Sequence, residues 1–117
     1  MDPSKQVRSA ALHALAYDCD QCDPDIFEPF VADSDIHDRA TALAGLCRHC
    51  DGAPRWFLRG LKDPSPHVRL EVARQLHCLD AAEHHDVFEF ALTDPNPEIM
   101  KRARKLTAHK HYAPLKW

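Results

Sequence analysis

Apolar residues recur along the chain at helical spacing in four blocks, each of which opens with an aspartate. The blocks begin at Asp2, Asp33, Asp63 and Asp94, so that the intervals between them are 31, 30 and 31 residues. Within each block, apolar side chains follow at the three- and four-residue spacing of one buried helix face. A fixed period of this length is the signature of a repeat architecture. We therefore expect every block to open with an amphipathic helix, here called helix A.

Two further columns agree when the blocks are aligned on that aspartate. The residue two positions later has a side chain that can cap a helix in all four blocks: Ser4, Asp35, Ser65 and Asn96. The residue six positions later is an arginine in three blocks, and Met100 replaces it in the fourth: Arg8, Arg39 and Arg69. These columns predict where each helix A begins.

A second apolar stripe precedes the next aspartate and predicts a second helix, here called helix B. Six positions before the aspartate the residue is always phenylalanine: Phe27, Phe57 and Phe88. Pro24 and Pro54 indicate where the first two B helices begin, because proline is favoured in the first helical turn. Asp80 and Glu83 form a variant capping box that predicts the start of the third. The fourth block ends before a full helix B.

The pattern D-x-x-P-x-V-R-x-x-A-x-x-x-L followed by a second helix resembles the HEAT repeat, in particular the short class named after phycobilisome lyases. It predicts an all-α fold, a short right-handed α-solenoid of about three and a half HEAT-like helical hairpins. The chain is then one domain, 1–117, with repeats at 2–32, 33–62, 63–93 and 94–117, the last incomplete. The resemblance also implies that the repeated aspartates and arginines form a structural ladder between repeats: Arg8, Asp33, Arg39, Asp63, Arg69 and Asp94.

Composition agrees with a single globular domain of 117 residues, 44% hydrophobic and 28% charged. The first ten residues have no secretory signal, and no apolar run is long enough to span a bilayer, so we expect a cytoplasmic protein. No serine-histidine-aspartate set, phosphate-binding loop or carboxylate pair marks a catalytic site. The expected function is therefore a non-catalytic adaptor that binds another protein without a cofactor.

The outward row of the B helices is the predicted partner-binding surface, because this row lines the concave face in HEAT-like solenoids. Its charges alternate from acidic to basic to acidic across the three repeats. Such alternation favours a network of ion pairs between neighbouring helices, or alternatively the floor of a groove for a partner peptide. The residues concerned are Asp25, Glu28, Arg55, Leu58, Arg59, Asp86, Glu89 and Phe90.

Two Cys-x-x-Cys pairs raise a different possibility. Thiolates separated by two residues can wrap one tetrahedral zinc ion, and the pairs lie at equivalent ends of adjacent repeats: Cys19, Cys22, Cys47 and Cys50. The competing interpretation is that these cysteines are small hydrophobic residues of the core and its turns. The alternative function is a zinc-binding protein, or, by analogy of fold, one similar to the phycobilin lyases.

The C-terminal region is basic, since residues 99–117 contain six bases and no acid within a chain of net charge -3. Lys101, Arg102, Arg104 and Lys105, with Tyr112 and Trp117 as stacking residues, suggest nucleic-acid contact as a further alternative. We do not expect it, because the remaining surface has no continuous basic stripe. The incomplete fourth repeat also leaves an apolar face that a second copy of the chain could cover.

Overall fold

A computed structural model describes residues 3–17, 24–49 and 53–108, and within these ranges the chain is all-helical, with no strand. This confirms the predicted all-α class for the described part. The seven α-helices are α1 (Pro3–Tyr17), α2 (Pro24–Phe27), α3 (Ile36–His49), α4 (Ala53–Leu61), α5 (Pro66–Ala73), α6 (His85–Leu92) and α7 (Pro97–Thr107). Short 3₁₀ segments follow α2 and α5, at Glu28–Phe30 and Leu76–Cys78.

The A helices begin where the capping residues predict. Asp35 Oδ1 accepts hydrogen bonds from the backbone N–H groups of His37 and Asp38 at 2.9 and 3.1 Å. Asn96 Oδ1 accepts one from the N–H of Glu98 at 2.9 Å. Ser65 occupies the cap position of α5 without a capping bond from its hydroxyl, and the side chain of Ser4 lies outside the described part. Side chains thus satisfy N–H groups that the first helical turn leaves without a partner.

The third B helix starts later than the capping-box pattern predicts. Asp80 Oδ1 accepts a hydrogen bond from the N–H of Ala82 at 2.9 Å, while the Asp80 carbonyl accepts from Glu83 and His84 at 3.1 Å. These bonds close a local turn, and α6 begins only at His85. Aspartate competes in this way with helix formation, because its side chain can bond to nearby backbone N–H groups. The prediction that Asp80 and Glu83 start the helix is wrong.

The A helices pack in chain order, α1 on α3, α3 on α5 and α5 on α7. The B helices α4 and α6 contact each other and also pack against A helices beside them. The hydrophobic core lies between the two sets, where the repeated phenylalanines Phe27, Phe57 and Phe88 are at most 1% exposed. Phe27 packs directly on α3 at Gly45, where an added Cβ would lie 2.6 Å from its ring. None of the helices in the described ranges is long and apolar enough to cross a membrane.

Candidate functional site

The aspartate and arginine columns meet between repeats, as the resemblance implies. Arg39 Nε donates to Asp63 Oδ2 at 2.8 Å and Nη2 donates to Oδ1 at 2.9 Å, so the pair is bidentate. Arg39 Nη1 donates to the Asp33 carbonyl at 2.9 Å. Arg69 repeats both contacts one block later, with Asp94 Oδ2 and the Asp63 carbonyl, each at 3.0 Å. The hydrogen bond to Asp63 raises the pKa of Arg39 above its ordinary value.

Each repeated aspartate also closes the turn before helix A. The Oδ1 atoms of Asp33, Asp63 and Asp94 accept a hydrogen bond from the backbone N–H two residues later, at 2.7, 2.9 and 2.8 Å respectively. One carboxylate thus fixes the local turn and, at Asp63 and Asp94, also holds the arginine of the preceding repeat. These residues link adjacent repeats and leave little acceptor capacity for chemistry.

Arg8 departs from this arrangement. Its Nη2 lies 3.6 Å from Oδ2 of Asp38 on α3, and its guanidinium lies 5.5 Å above the ring of Phe30. The Arg8 side chain is 48% exposed, whereas those of Arg39 and Arg69 are 16% and 17% exposed. The first contact in the row of A helices is therefore built differently from the next two.

The predicted partner-binding surface is centred on α4. The guanidinium groups of Arg55 and Arg59 lie 4.9 and 5.8 Å from the ring centroid of Trp56. Neither forms an ion pair with a carboxylate in the described ranges. The predicted ion-pair network is therefore wrong for these two residues, because the indole face attracts both cations.

A cavity of about 420 Å³ opens beside this stack, between Glu28 and Val31 on one side and α4 on the other. A second cleft, of about 390 Å³, lies next to Phe90, which is 36% exposed. Lys62 Nζ lies 5.6 Å from the Phe90 ring centroid. Of the other predicted residues, Asp25 and Asp86 are exposed, Glu89 is partly buried, and Leu58 packs against the core.

The proposed zinc ligands are only partly within the described residues. Cys47 is 2% exposed and belongs to the hydrophobic core, and burial raises the pKa of its thiol well above the ordinary value, with the nearby charge of Cys78 adding to the effect. A thiol held protonated is a poor metal ligand. Cys19, Cys22 and Cys50 lie outside the described part, so the four-cysteine site stays a prediction. Within the described ranges, no group of three or more His, Cys, Asp or Glu residues could hold a metal ion.

The basic residues of α7 occupy the far end of the described chain. Lys101, Arg104 and Lys105 are exposed and Arg102 is partly buried. Tyr112 and Trp117, the predicted stacking residues, lie outside the described part. The expected nucleic-acid contact and the expected contact between two copies at this end both stay predictions.

A third cavity, on the side of the A helices, was not predicted from the sequence. It has a volume of about 390 Å³ and lies where α1, α3 and α5 meet. Asp38 forms part of its wall and is 1% exposed. The sequence does distinguish this residue, because Asp38 occupies the repeat position that holds an apolar residue in the other three repeats: Val7, Val68 and Ile99. A charged residue in an otherwise apolar column points to a local role.

Hydrogen bonds and ring contacts order the cavity wall. Ser9 Oγ donates to Asp38 Oδ1 at 2.6 Å, and Tyr17 Oη donates to Glu71 Oε2 at 2.9 Å. Burial, followed by the hydrogen bond to Glu71, raises the pKa of Tyr17. Two ring pairs flank these carboxylates, with centroids 4.6 Å apart for His13 and Tyr17 and 4.9 Å apart for His37 and His67.

Comparison with known proteins returned no match: no family model, no curated protein and no solved structure resembles the chain significantly.

Proposed function

We propose that this chain is a HEAT-like repeat module of the short α-solenoid type, a non-catalytic adaptor that binds another protein through the outward row of its B helices. The period of the sequence and the packing of the A helices in chain order support the solenoid. The Arg39–Asp63 and Arg69–Asp94 pairs support stacking of equivalent repeats, because each pair links corresponding positions of adjacent blocks.

The observation that carries the binding proposal is the stack of Arg55 and Arg59 on Trp56. Two exposed cations, without a carboxylate partner in the described ranges, lie on one aromatic ring beside an open cavity. Arginine and tryptophan are the residue types enriched among the energetically dominant positions of protein interfaces. The cavity is thus suited to an acidic residue of a partner, which would accept the bidentate hydrogen bonds that guanidinium groups make.

The second cleft extends this surface with apolar character. Phe90 offers an exposed ring under Lys62, and the cleft wall contains Leu61 and Pro64. An acidic segment that also carries an apolar residue would match the chemistry of the two clefts. An amphipathic helix or an extended peptide of that composition is the partner type that this surface favours.

Charge reversal of α4 tests the proposal. The full chain carrying Arg55→Glu and Arg59→Glu is compared with the wild type by quantitative affinity capture from lysate of the native host, followed by titration of the purified partner. The matched control is Lys101→Glu with Lys105→Glu, which reverses two exposed charges with the same i,i+4 spacing on α7.

The proposal predicts a partner that binds the wild type and the α7 control alike and loses at least about tenfold in affinity with the α4 variant, because reversed charges repel an acidic segment. Equal retention by all three proteins would contradict it. Loss with the α7 control alone would favour the basic helix as the contact surface instead.

A further inference from the structure

The cavity between α1, α3 and α5 contains a buried carboxylate, one oxygen of which accepts no hydrogen bond. Asp38 Oδ1 accepts from Ser9, but Oδ2 is buried and has no hydrogen-bond partner. Among the described residues, the Arg8 guanidinium is the cation beside it, with Nη2 3.6 Å away on a side chain that is about half exposed. An unsatisfied buried acceptor is costly, and the cost is greater for a charged group. A ligand that donates a hydrogen bond to Oδ2 would remove that cost.

Stacking of repeats does not require this carboxylate. The equivalent residues Val68 and Ile99 are fully buried and apolar, and the α5 and α7 helices that carry them pack normally. Replacing a buried ionic residue by an apolar one of similar size is often neutral or stabilising. Asp38 therefore lowers the stability of the fold, whereas the apolar residues at the equivalent positions of α5 and α7 do not.

The charge of the cavity wall favours a cation. Among the described residues that line it, the carboxylates are those of Asp38 and Glu71, and none is a lysine or an arginine. Glu71 is held from outside the lining by Arg74, whose Nη1 donates to Oε1 at 2.9 Å, and Arg48 lies 5.4 Å from the Tyr17 ring. These contacts fix the Glu71 carboxylate and the Tyr17 ring in position without filling the cavity.

The ring pairs favour a flat cation. His13 and Tyr17 on α1, and His37 and His67 on the first turns of α3 and α5, line the same cavity. A guanidinium group stacks on aromatic faces, carries its charge in the plane and donates up to five hydrogen bonds in a fixed arrangement. An ammonium group matches the charge but not the flat stacking geometry.

We propose that this cavity binds a guanidinium group, with Asp38 Oδ2 accepting one of its N–H groups and the aromatic rings covering its faces. The site lies on the side of the A helices and is independent of the partner-binding surface proposed on the B helices. The group belongs either to an arginine side chain of a protein or to a free small molecule of the agmatine type.

Binding is measured by following the backbone amide and histidine ring signals of the isotopically labelled full chain in NMR titrations. N-acetyl-arginine amide is expected to shift signals of α1, α3 and α5 saturably. N-acetyl-citrulline amide, which has the same shape without the charge, is expected to bind at least about tenfold more weakly, since it loses the charge-assisted bond. An arginine-centred pentapeptide and agmatine distinguish the two sources by which of them binds more tightly.

Two variants separate binding from folding. Asp38→Asn keeps the shape of the side chain and is expected to weaken arginine amide binding at least about tenfold. Asp38→Val places in α3 the residue type that α5 carries at the same repeat position, and is expected to fold and to abolish binding. Glu83→Gln, on an exposed carboxylate of the turn before α6, is the control and should bind as the wild type does. Equal affinity for arginine and citrulline amides, unchanged binding by the folded Asp38 variants, or no saturable shift would each overturn the proposal.

Discussion

The contact between α3 and α5 and the contact between α1 and α3 join equivalent helices but are built differently. At the α3–α5 contact, Arg39 holds Asp63 in a bidentate pair that is mostly buried, and Val68 fills the apolar column. At the α1–α3 contact, Arg8 is half exposed, and its Nη2 lies 3.6 Å from Oδ2 of Asp38, which occupies that same column.

The difference shows what the repeat pattern needs and what it tolerates. Where the column is apolar and the arginine is fully paired, the helices are joined by hydrogen bonds that satisfy all the groups involved. Where the column holds a carboxylate, one oxygen lacks a hydrogen bond and a cavity opens beside it. Departures of this kind from a local rule are expected at functional or strained sites.

The largest loss of stability is expected when the apolar column of the α3–α5 contact receives a carboxylate, as the α1–α3 contact has at Asp38. Val68→Asp places a carboxylate at a fully buried position where the cation that corresponds to Arg8, Arg39, is already paired with Asp63, and should destabilise the chain by about 4 kcal/mol or more. Urea unfolding followed by circular dichroism measures the loss. Val68→Thr, of nearly the same volume, is the control and should cost distinctly less. A small loss with Val68→Asp would mean that this column is not part of a tightly packed core.

Breaking the regular pair should have the next largest effect. Arg39→Met leaves the mostly buried Asp63 without its cation and should cost about 3 kcal/mol in the free energy of unfolding. Arg8→Met is the matched change at the irregular contact and should cost less than about 1 kcal/mol, since the Arg8 guanidinium is half exposed and makes no hydrogen bond to the buried Asp38 Oδ2. Similar losses in the two variants, measured by the same urea titration, would contradict the distinction.

Replacing the carboxylate of the α1–α3 contact by an apolar side chain should not lower the stability of the fold. Asp38→Val removes a buried acceptor that lacks a hydrogen bond and should leave the free energy of unfolding unchanged or raise it by up to about 2 kcal/mol. Thermal unfolding monitored by circular dichroism reports the sign. A clear loss of stability would assign Asp38 a structural role in holding α1 on α3.

The smallest effect concerns the hydrogen bond between α1 and α5. Tyr17→Phe removes the bond to Glu71 and should cost about 1 kcal/mol at neutral pH. Because the folded state raises the pKa of Tyr17, its contribution is complete below the ordinary tyrosine value of about 10 and is lost as the pH rises beyond it. The stability difference between wild type and variant should therefore narrow above pH 10, and a pH-independent difference would exclude this linkage.

The sequence predicts the repeated features of the molecule well, because a feature that recurs in register has the same physical cause in every repeat. The A helices and the buried phenylalanine column follow from periodicity, and the pairing of Arg39 with Asp63 follows from the resemblance to the HEAT repeat. The start of α6 does not, because a local turn at Asp80 competes with the helix. The stacking of Arg55 on Trp56 was also missed, since charge alternation says nothing about which neighbour a flexible side chain contacts.

The cavity at Asp38 illustrates a different limit. The departure of one residue from an apolar column is visible in the sequence, but its meaning depends on which helices surround it. Only the packing of α1, α3 and α5 brings Ser9, Tyr17 and Glu71 to the same cavity as Asp38. Sequence periodicity locates such an exception, and the tertiary contacts determine its chemistry.

The most direct test of the contrast between the two contacts is a pair of double-mutant cycles on the free energy of unfolding. One cycle combines Arg39→Met with Asp63→Asn, and the other combines Arg8→Met with Asp38→Asn; each asparagine keeps an acceptor oxygen. We predict a coupling energy of about 2 to 3 kcal/mol for the first pair and less than about 1 kcal/mol for the second. Equal coupling in the two cycles would contradict the account, because the first contact would then be held by the same kind of pair as the second.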